Sequence, residues 1–404
     1  MQFKSELRGR VVLPSSKSIT NRVLMLSALA DTPCTLLNVS DCDDARVMSA
    51  AMSERPERID IGAAGTAMRF STAFFAAQPG RHYIFGTPRM HERPISVLAD
   101  ALNSLGADVR YADRTGYPPL VVLGRTLTGG SVEISANVSS QYISALLMIG
   151  PIMEKGLHLR LTGGIISRPY IDMTISLMQA FGAEVTWIGD QTIYVKPGRY
   201  HHEGPFAIES DWSSASYWYE IMALSADSDA RIELPGLHPK SLQGDSRVRE
   251  YFEMFGIQTT FDAEGAVLTK MHRPVPETIQ MDLSEQPDLA QTLVVTSAML
   301  HRPFHFKGLQ TLKIKETDRL AAMRNELLKF GIKVEVRSDS ELLWDGSTTA
   351  MQFPLTIDTY DDHRMAMAFA PCAMRFPEIV INHPEVVSKS YPTFWETLRP
   401  FVRN

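Results

Sequence analysis

A glycine that follows a helix-like segment recurs along the chain at nearly constant spacing. It lies in the stretches LGADV, FGAEV, FGIQT and FGIKV, at Gly106, Gly182, Gly256 and Gly331, with gaps of 76, 74 and 75 residues. A glycine just past the last helical turn adopts positive φ without the steric cost of a Cβ. Each stretch therefore predicts a helix, a glycine stop and a strand, in units of about 75 residues.

Strand-like triplets provide a second repeat signal, because each is followed by a polar stretch and an apolar, helix-like run. The triplets end at Leu13, Ile61, Ile134, Ile208, Met281 and Ile357, with gaps of 48, 73, 74, 73 and 76 residues. Simple alternation of strands and helices is the alternative, which such regular gaps disfavour. Six copies predict an α/β chain of two three-unit domains, with one unit shortened by about 25 residues between Asp44 and Ile61.

Charge and hydropathy narrow the class of protein. The 404 residues carry a formal charge of −6, whereas nucleic-acid-binding proteins usually have a basic excess, so we expect no nucleic-acid partner. A local basic cluster remains compatible with this balance. The three cysteines predict free thiols. No signal-peptide core and no apolar stretch of membrane-spanning length is present, so we expect a soluble, cytoplasmic protein without a membrane partner.

The polar turns between strands and helices are candidate anion sites, because the first N–H groups of a helix point beyond the strand end. Lys17 and Arg22 lie near the first such helix start, where cations oppose the dipole and need another benefit, such as phosphate binding. A solvated basic turn is the alternative. No Walker sequence occurs, so a nucleotide phosphate loop is not predicted.

The other turns leave alternatives open. Residues 62–66 suit close approach of a ligand or tight packing, and residues 139–141 and 211–216 suit polar binding or helix capping. Asp288 suits either chemistry or dipole compensation. The turn at residues 360–364 could form an ion-pair network, hold a charged substrate or bind a metal, but it supplies too few ligands for us to predict a metal site.

Two further segments, residues 88–94 and 313–320, place basic residues ahead of helices, with a solvated charged face as the alternative. Eight motifs then occur in order along the chain: LPSSKSITNR, GAAGTAMR, PRMHERP, VSSQYISALLM, SRPYIDMT, SDWSSASYW, IKETDRL and YDDHRMAM. Together they resemble the motifs of the 5-enolpyruvylshikimate-3-phosphate synthase family. The match extends from Lys17 to Lys389.

The resemblance implies a two-domain, inside-out α/β (α+β) barrel built from six βαβαββ-like repeats, with one repeat shortened. We expect a discontinuous lower domain of residues 1–13 and 210–404, an upper domain of residues 14–209, and an active site in the cleft between them. The implied enzyme is a transferase of aromatic amino acid biosynthesis. It moves the enolpyruvyl group of phosphoenolpyruvate to the 5-hydroxyl of shikimate 3-phosphate and releases phosphate, through a tetrahedral intermediate. A monomer without metal or organic cofactor is expected.

The resemblance also assigns residues to the two substrates. Those matching the shikimate 3-phosphate site are Lys17, Ser18, Arg22, Ser139, Ser140, Gln141, Ser167, Tyr170, Asp288 and Lys315. Those matching the phosphoenolpyruvate site are Lys17, Gly65, Thr66, Arg93, Gln141, Arg319, Arg364 and Lys389. Asp288 is predicted as the base toward the hydroxyl and Glu316 as the proton donor to carbon. Lys17 and His363 are predicted to assist.

The chain departs from the family pattern at two positions, where Ala63 and Thr311 stand in place of asparagines. Two other functions remain alternatives. An enolpyruvyl transferase acting on UDP-N-acetylglucosamine would typically open with a Lys-Asn pair, but this chain has Lys17-Ser18. A non-catalytic anion-binding protein of the same fold would not need the carboxylates Asp288 and Glu316.

Overall fold

The described residues form six small β-sheets, which divide between two units of the chain. The computed structural model describes residues 2–137 and 139–403, so Val138, the first residue of the motif VSSQYISALLM, lies outside the described residues. Unit 1 comprises the chain up to Ser15 together with the chain from Glu209 onward, and unit 2 is Ser16–Ile208. No helix of the described residues is long and apolar enough to cross a membrane.

The helices and strands alternate along the chain. The helices are α1 (Lys17–Leu29), α2 (Asp43–Glu54), α3 (Gly65–Ala76), α4 (Pro88–His91), α5 (Ser96–Ser104), α6 (Ser140–Ile149), α7 (Arg168–Ala180), α8 (Trp212–Leu224), α9 (Val248–Glu253), α10 (Ala290–Met299), α11 (Arg319–Lys329), α12 (His363–Phe369) and α13 (Phe394–Leu398). The strands are β1 (Arg8–Arg10), β2 (Leu36–Leu37), β3 (Arg58–Asp60), β4 (Gly80–Phe85), β5 (Val109–Tyr111), β6 (Leu120–Gly124), β7 (Gly130–Ser135), β8 (Leu157–Thr162), β9 (Val185–Ile188), β10 (Thr192–Val195), β11 (Phe206–Ala207), β12 (Arg231–Pro235), β13 (Ile257–Phe261), β14 (Gly265–Lys270), β15 (Ile279–Asp282), β16 (Phe304–Lys307), β17 (Glu335–Arg337), β18 (Glu341–Trp344), β19 (Thr356–Ile357) and β20 (Val380–Ile381).

Four of the sheets share one topology. Their orders are β1-β12-β14-β13 and β15-β16-β18-β17 in unit 1, and β3-β4-β6-β5 and β7-β8-β10-β9 in unit 2. In each sheet the first two strands are parallel and the remaining pairs are antiparallel. The other two sheets, β11-β2 in unit 2 and β19-β20 in unit 1, each have one parallel pair. Each unit therefore contains three repeats.

The four spaced glycines lie where the sequence predicted. Gly106, Gly182, Gly256 and Gly331 have φ values of 101°, 83°, 77° and 76°. They follow α5, α7, α9 and α11, and each precedes the last strand of a four-stranded sheet. The predicted order of helix, glycine stop and strand is confirmed, since these φ values lie in the region that favours glycine.

The shortened repeat keeps its helix and lacks a pair of strands. In the four-stranded repeats an antiparallel pair follows the second helix, whereas the chain runs from the end of α2 to β3 with no such pair. The β19-β20 repeat lacks this pair as well. Spacing between successive copies could not reveal this second short repeat, because it is the last copy.

One predicted strand position is wrong. The triplet VVL at residues 11–13 lies after β1, which ends at Arg10. The N–H of Val11 still donates to the carbonyl of Glu233, but the side chain of Val12 is 69% exposed and Pro14 has no N–H to continue the ladder. The strand that the sequence indicated is therefore displaced toward the N-terminus.

Apolar helices form the core of each unit. In unit 1 these are α8, α10 and α12, and in unit 2 they are α1, α3 and α6, all rich in fully buried residues. Most of the predicted site residues lie at the first turns of these helices or in the loops before them. Packing of the helix body thereby fixes the position of the polar residues at its N-terminus.

Candidate active site

Asp288 lies among three cations of unit 1, in a 3₁₀ turn (Pro287–Leu289) that leads into α10. Its Oδ1 is 3.0 Å from Nη1 of Arg319 and 3.4 Å from Nζ of Lys315, and its Oδ2 is 3.4 Å from Nη2 of Arg364. Burial alone would raise the pKa of Asp288, but Lys315, Arg364 and Arg319 together hold it far below its usual range. Asp288 is therefore ionised.

Glu316 shares Arg319 with Asp288. Its Oε2 is 3.0 Å from Nη2 of Arg319, and its Oε1 is 3.0 Å from Nζ of Lys389, at the end of the 3₁₀ turn Pro384–Lys389. The side chains of Glu316 and Lys389 are 12% and 9% exposed. Both oxygens of this carboxylate are therefore engaged by cations in a largely buried setting.

Asp362 supplies the deepest contact of this cluster. Its Oδ2 accepts from Nε of Arg319 at 2.6 Å, and its Oδ1 accepts from Nη2 at 3.2 Å. Burial would lower the pKa of Arg319, but Asp362, Glu316 and Asp288 raise it above its ordinary value. Nδ1 of His363 lies 3.6 Å from the same carboxylate. The turn at residues 360–364 forms an ion-pair network, which was one of the three alternatives.

Two more buried groups of unit 1 belong to this cluster, although the sequence did not indicate them. Asp245 accepts a hydrogen bond from Ser213, and burial together with the charge of Asp288 raises its pKa to about 6. The hydroxyl of Tyr217 is hydrogen-bonded to Arg364, and burial raises the pKa of Tyr217 to about 12. Tyr217 lies in the motif SDWSSASYW, where no role was predicted for it, and Asp245 lies outside all eight motifs, so packing identifies both as members of the cluster.

In unit 2, Lys17 begins α1 and forms an ion pair with α2. Its Nζ is 3.1 Å from Oδ2 of Asp44, and the two side chains are 16% and 6% exposed. The side chain of Ser16 caps α1 by accepting from the N–H of Ile19. Asp44 was not among the predicted site residues, although its acidic position in the first turn of α2 was visible in the sequence.

Arg22 lies further along α1, where hydrogen bonds hold its guanidinium. Its Nε donates to Oγ1 of Thr174 at 2.7 Å and its Nη2 donates to Oγ of Ser144 at 3.2 Å. Its Nη1 and Nη2 donate to the carbonyls of Ser18 and Tyr170 at 2.9 and 3.4 Å. Burial lowers the pKa of Arg22 to about 10, which still leaves it charged at neutral pH.

A second arginine of unit 2 lies against a glycine. A Cβ built on Gly65 would be 2.5 Å from Nη1 of Arg93, so a larger residue here would require this guanidinium to move. Next to Gly65, Oγ1 of Thr66 accepts from Nε2 of Gln141 at 3.0 Å. The side chain of Ser139 caps α6 by accepting from the N–H of Gln141. Helices α3 and α6 thus bring the second and third predicted turns together.

The remaining predicted residues lie at helix starts or in the neighbouring loops. Ser140 is the first residue of α6, and Ser167 precedes α7 with a φ of 57° and a side chain that is mostly buried. Asp211, for which capping was one alternative, accepts from the N–H of Ser214 at 2.7 Å. Thr311, one of the two departures from the family pattern, has a buried hydroxyl without a hydrogen-bond partner in the described part of the chain.

The predicted residues therefore divide between the two units. Unit 1 holds Asp288, Lys315, Glu316, Arg319, His363, Arg364 and Lys389; unit 2 holds Lys17, Ser18, Arg22, Gly65, Thr66, Arg93, Ser139, Ser140, Gln141, Ser167 and Tyr170. Within residues 2–137 and 139–403, no group of His, Cys, Asp and Glu has the arrangement of a metal site.

Comparison with known proteins identifies the family. The family model of EPSP synthase (3-phosphoshikimate 1-carboxyvinyltransferase) matches residues 1–54 and 50–398. The chain belongs to this family. The two matched segments meet inside the range where the repeat spacing placed the missing residues. The family resemblance inferred from the eight motifs is thereby confirmed.

Relatives and solved structures agree with this membership. The chain is 53% identical over 395 residues to a 3-phosphoshikimate 1-carboxyvinyltransferase of Bacteroides fragilis, covering 98% of this chain and 95% of the relative. It is 36% identical over 425 residues to the protein of that name from Photobacterium profundum, covering 98% and 97% of the two chains. A solved EPSP synthase of Acinetobacter baumannii has a TM-score of 0.76 and 21% identity, covering 100% of this chain and 97% of that one. This last likeness confirms the predicted fold class.

Proposed function

We propose that this chain is an enolpyruvyl transferase. It transfers the enolpyruvyl group of phosphoenolpyruvate to the 5-hydroxyl of shikimate 3-phosphate and releases phosphate, in aromatic amino acid biosynthesis. Family membership supports this function. The structural observation that carries it is the pair of largely buried carboxylates, Asp288 and Glu316, that share Arg319 within a cationic cluster.

The reaction requires two proton transfers in its addition step and one in its elimination step. In the addition, the 5-hydroxyl oxygen bonds to C2 of phosphoenolpyruvate and loses its proton, while the methylene carbon gains one. In the elimination, the bond from C2 to the phosphate oxygen breaks, and the methyl group loses a proton as the double bond returns. A base near the hydroxyl and an acid near the carbon therefore suffice, and two carboxylates suit these roles.

We assign Asp288 to the hydroxyl and Glu316 to the carbon. In the free protein Asp288 is a weak base, because three cations depress its pKa. The phosphate and carboxylate groups of the substrates compete for those same cations. Once Lys315, Arg319 and Arg364 turn to the substrates, Asp288 loses part of its stabilisation as an anion and becomes a stronger base. His363 and Lys17 are assigned to proton movement or to the leaving phosphate.

The cations also explain how two anionic substrates bind together. Without compensation, their phosphate and carboxylate groups would repel one another. Arginine binds carboxylate and phosphate through two parallel hydrogen bonds, while lysine supplies a point charge. We assign Arg93, Arg319, Arg364 and Lys389, with Gly65, Thr66, Gln141 and Lys17, to phosphoenolpyruvate. Residues of both units take part in this assignment, which the motif resemblance supports.

We assign shikimate 3-phosphate to Lys17, Ser18, Arg22, Ser139, Ser140, Gln141, Ser167 and Tyr170 of unit 2 and to Asp288 and Lys315 of unit 1. The buried hydroxyl of Thr311 has no hydrogen-bond partner among the described residues, and this supports a ligand contact at the position where the family has asparagine. A monomeric, cytoplasmic enzyme without nucleic-acid partner, metal or organic cofactor stays our prediction.

Phosphate release tests the function. The purified protein is incubated with phosphoenolpyruvate and either shikimate 3-phosphate or UDP-N-acetylglucosamine. We expect release with shikimate 3-phosphate alone. Release only with UDP-N-acetylglucosamine would support the other transferase, and release with neither would support a binding protein without catalysis.

A further inference from the structure

Asp362 is the most deeply buried of the three carboxylates that contact Arg319. None of its side chain is exposed, compared with 18% for Asp288 and 12% for Glu316. It precedes α12, and its Oδ1 accepts from the backbone N–H of Arg364 at 2.9 Å as an N-cap. The same carboxylate holds Arg319 through Nε and Nη2. The side chain of Asp362 therefore fixes both the guanidinium of Arg319 and the helix start that carries Arg364.

The guanidinium of Arg319 has two distinct sides. Its Nε edge faces Asp362, while Nη1 donates to Asp288 and Nη2 donates also to Glu316, each at 3.0 Å. Because Asp362 is inaccessible to solvent, an incoming anion can displace only the partners on the Nη side. The contact with Asp362 is thus the one that Arg319 keeps when the other carboxylates give way.

We propose that Asp362 is a positioning residue for phosphoenolpyruvate: it holds Arg319 and Arg364 in the orientation that receives the substrate anion. This inference rests on the proposed function. Asp362 is assigned no contact with substrate, and it acts through the two arginines. Removing its charge would leave Arg319 held only by Asp288 and Glu316, so the guanidinium would turn toward the carboxylates that the reaction needs free.

The chain provides a matched control next to Asp362. Asp361 is exposed and adopts a φ of 55°, a conformation that asparagine tolerates well. Asp361→Asn and Asp362→Asn therefore make the same chemical change one residue apart. We expect Asp362→Asn to raise the KM for phosphoenolpyruvate about 10- to 100-fold, as loss of a buried charged hydrogen bond does. The KM for shikimate 3-phosphate and kcat should each change less than about fivefold, and Asp361→Asn should match the wild type.

The arginine Nε–Hε resonance of Arg319, assigned with an Arg319→Lys variant, provides a readout that does not depend on activity. We expect slow solvent exchange of this proton in the wild type and in Asp361→Asn, and fast exchange in Asp362→Asn. An unchanged KM for phosphoenolpyruvate in Asp362→Asn, or a resonance as slow as in the wild type, would overturn the proposal. An inactive wild type with the expected exchange pattern would instead refute the proposed function and leave the arginine-holding role standing.

Discussion

The two units hold their buried arginines in opposite ways. In the described part of unit 2, Arg22 donates to neutral oxygens only, those of two hydroxyls and two carbonyls. In unit 1, Arg319 donates to three carboxylates. Burial lowers the pKa of Arg22 to about 10, whereas in Arg319 the carboxylates outweigh burial and raise it. In the described part of the chain no carboxylate balances the charge of Arg22, whereas three carboxylates surround that of Arg319.

This difference indicates a division of labour. Neutral partners orient a cation without cancelling its field, which suits binding of a phosphate. A substrate anion can displace carboxylate partners from an arginine. The basicity of the displaced carboxylates then changes, which suits proton transfer. We therefore expect substitutions of Asp288 and Glu316 to affect kcat and substitutions around the unit 2 arginines to affect KM.

The largest effect should come from Glu316→Gln. The amide keeps the shape and a hydrogen-bond acceptor for Arg319 but cannot carry a proton, so kcat should fall about 10²- to 10⁴-fold. The KM values should change less than about fivefold. Steady-state kinetics checks this, with Glu335→Gln, an exposed carboxylate paired with Arg337, as the control. A loss of kcat below tenfold would place the proton chemistry elsewhere.

A smaller effect should come from Gly65→Ala. The added Cβ would meet Nη1 of Arg93 at 2.5 Å and push the guanidinium out of alignment. We expect the KM for phosphoenolpyruvate to rise about tenfold or more, because a bidentate contact depends on alignment. Gly164→Ala is the control, since its Cβ would meet nothing within 4 Å. An unchanged KM in Gly65→Ala would remove Arg93 from the site.

Thr174→Val tests whether neutral oxygens position Arg22. The substitution keeps the side-chain shape but removes the acceptor of Nε, which leaves a buried donor unpaired at a cost of about 1–3 kcal/mol. We expect a KM for shikimate 3-phosphate raised about 5- to 50-fold and a lower free energy of unfolding. Thr174→Ser restores the hydroxyl and should recover most of both. Equal KM values for all three proteins would contradict this role.

The smallest effect on activity is expected at Glu220, where a substitution should change stability instead. Glu220 is a buried carboxyl of unit 1 whose oxygens have no hydrogen-bond partner among the described residues. Burial raises its pKa well above the ordinary value. The folded state therefore keeps a proton that the unfolded state loses above about pH 4.5, so stability falls as pH rises. Glu220→Met should gain stability over the wild type by up to about 1.4 kcal/mol per pH unit within this window. Urea unfolding at pH 5 and pH 8 measures it, and a pH-independent difference would contradict it.

The sequence predicted the repeats well because their signals are local. A glycine such as Gly182 ends its helix through its own backbone conformation, which needs no distant partner. The sequence did not predict that β1 pairs with β12 and that β11 pairs with β2. These parallel pairs join strands about 170 to 220 residues apart, and such pairing leaves no local signal in the sequence.

The sequence predicted which residues belong to the site, but it did not predict which of them pair with one another. The family resemblance indicated Arg319 and Asp288, but nothing in the sequence showed that a salt bridge joins them at 3.0 Å. The positioning groups Thr174, Tyr217 and Asp245 lie in helices or turns without charged runs. Their importance comes from burial and from contacts between segments, which only the folded chain reveals.

The most direct test of the division of labour is deuterium incorporation at the methylene carbon. In D₂O with both substrates, the methylene carbon gains a deuteron from the exchanged acid during addition and then loses one hydrogen when the adduct breaks down. Reversible addition should therefore place deuterium into phosphoenolpyruvate and the product. We expect wild type and, at saturating substrate, Thr174→Val to incorporate deuterium, and Glu316→Gln to incorporate almost none. Incorporation by Glu316→Gln at the wild-type rate would contradict the assignment of proton transfer to the unit 1 carboxylates.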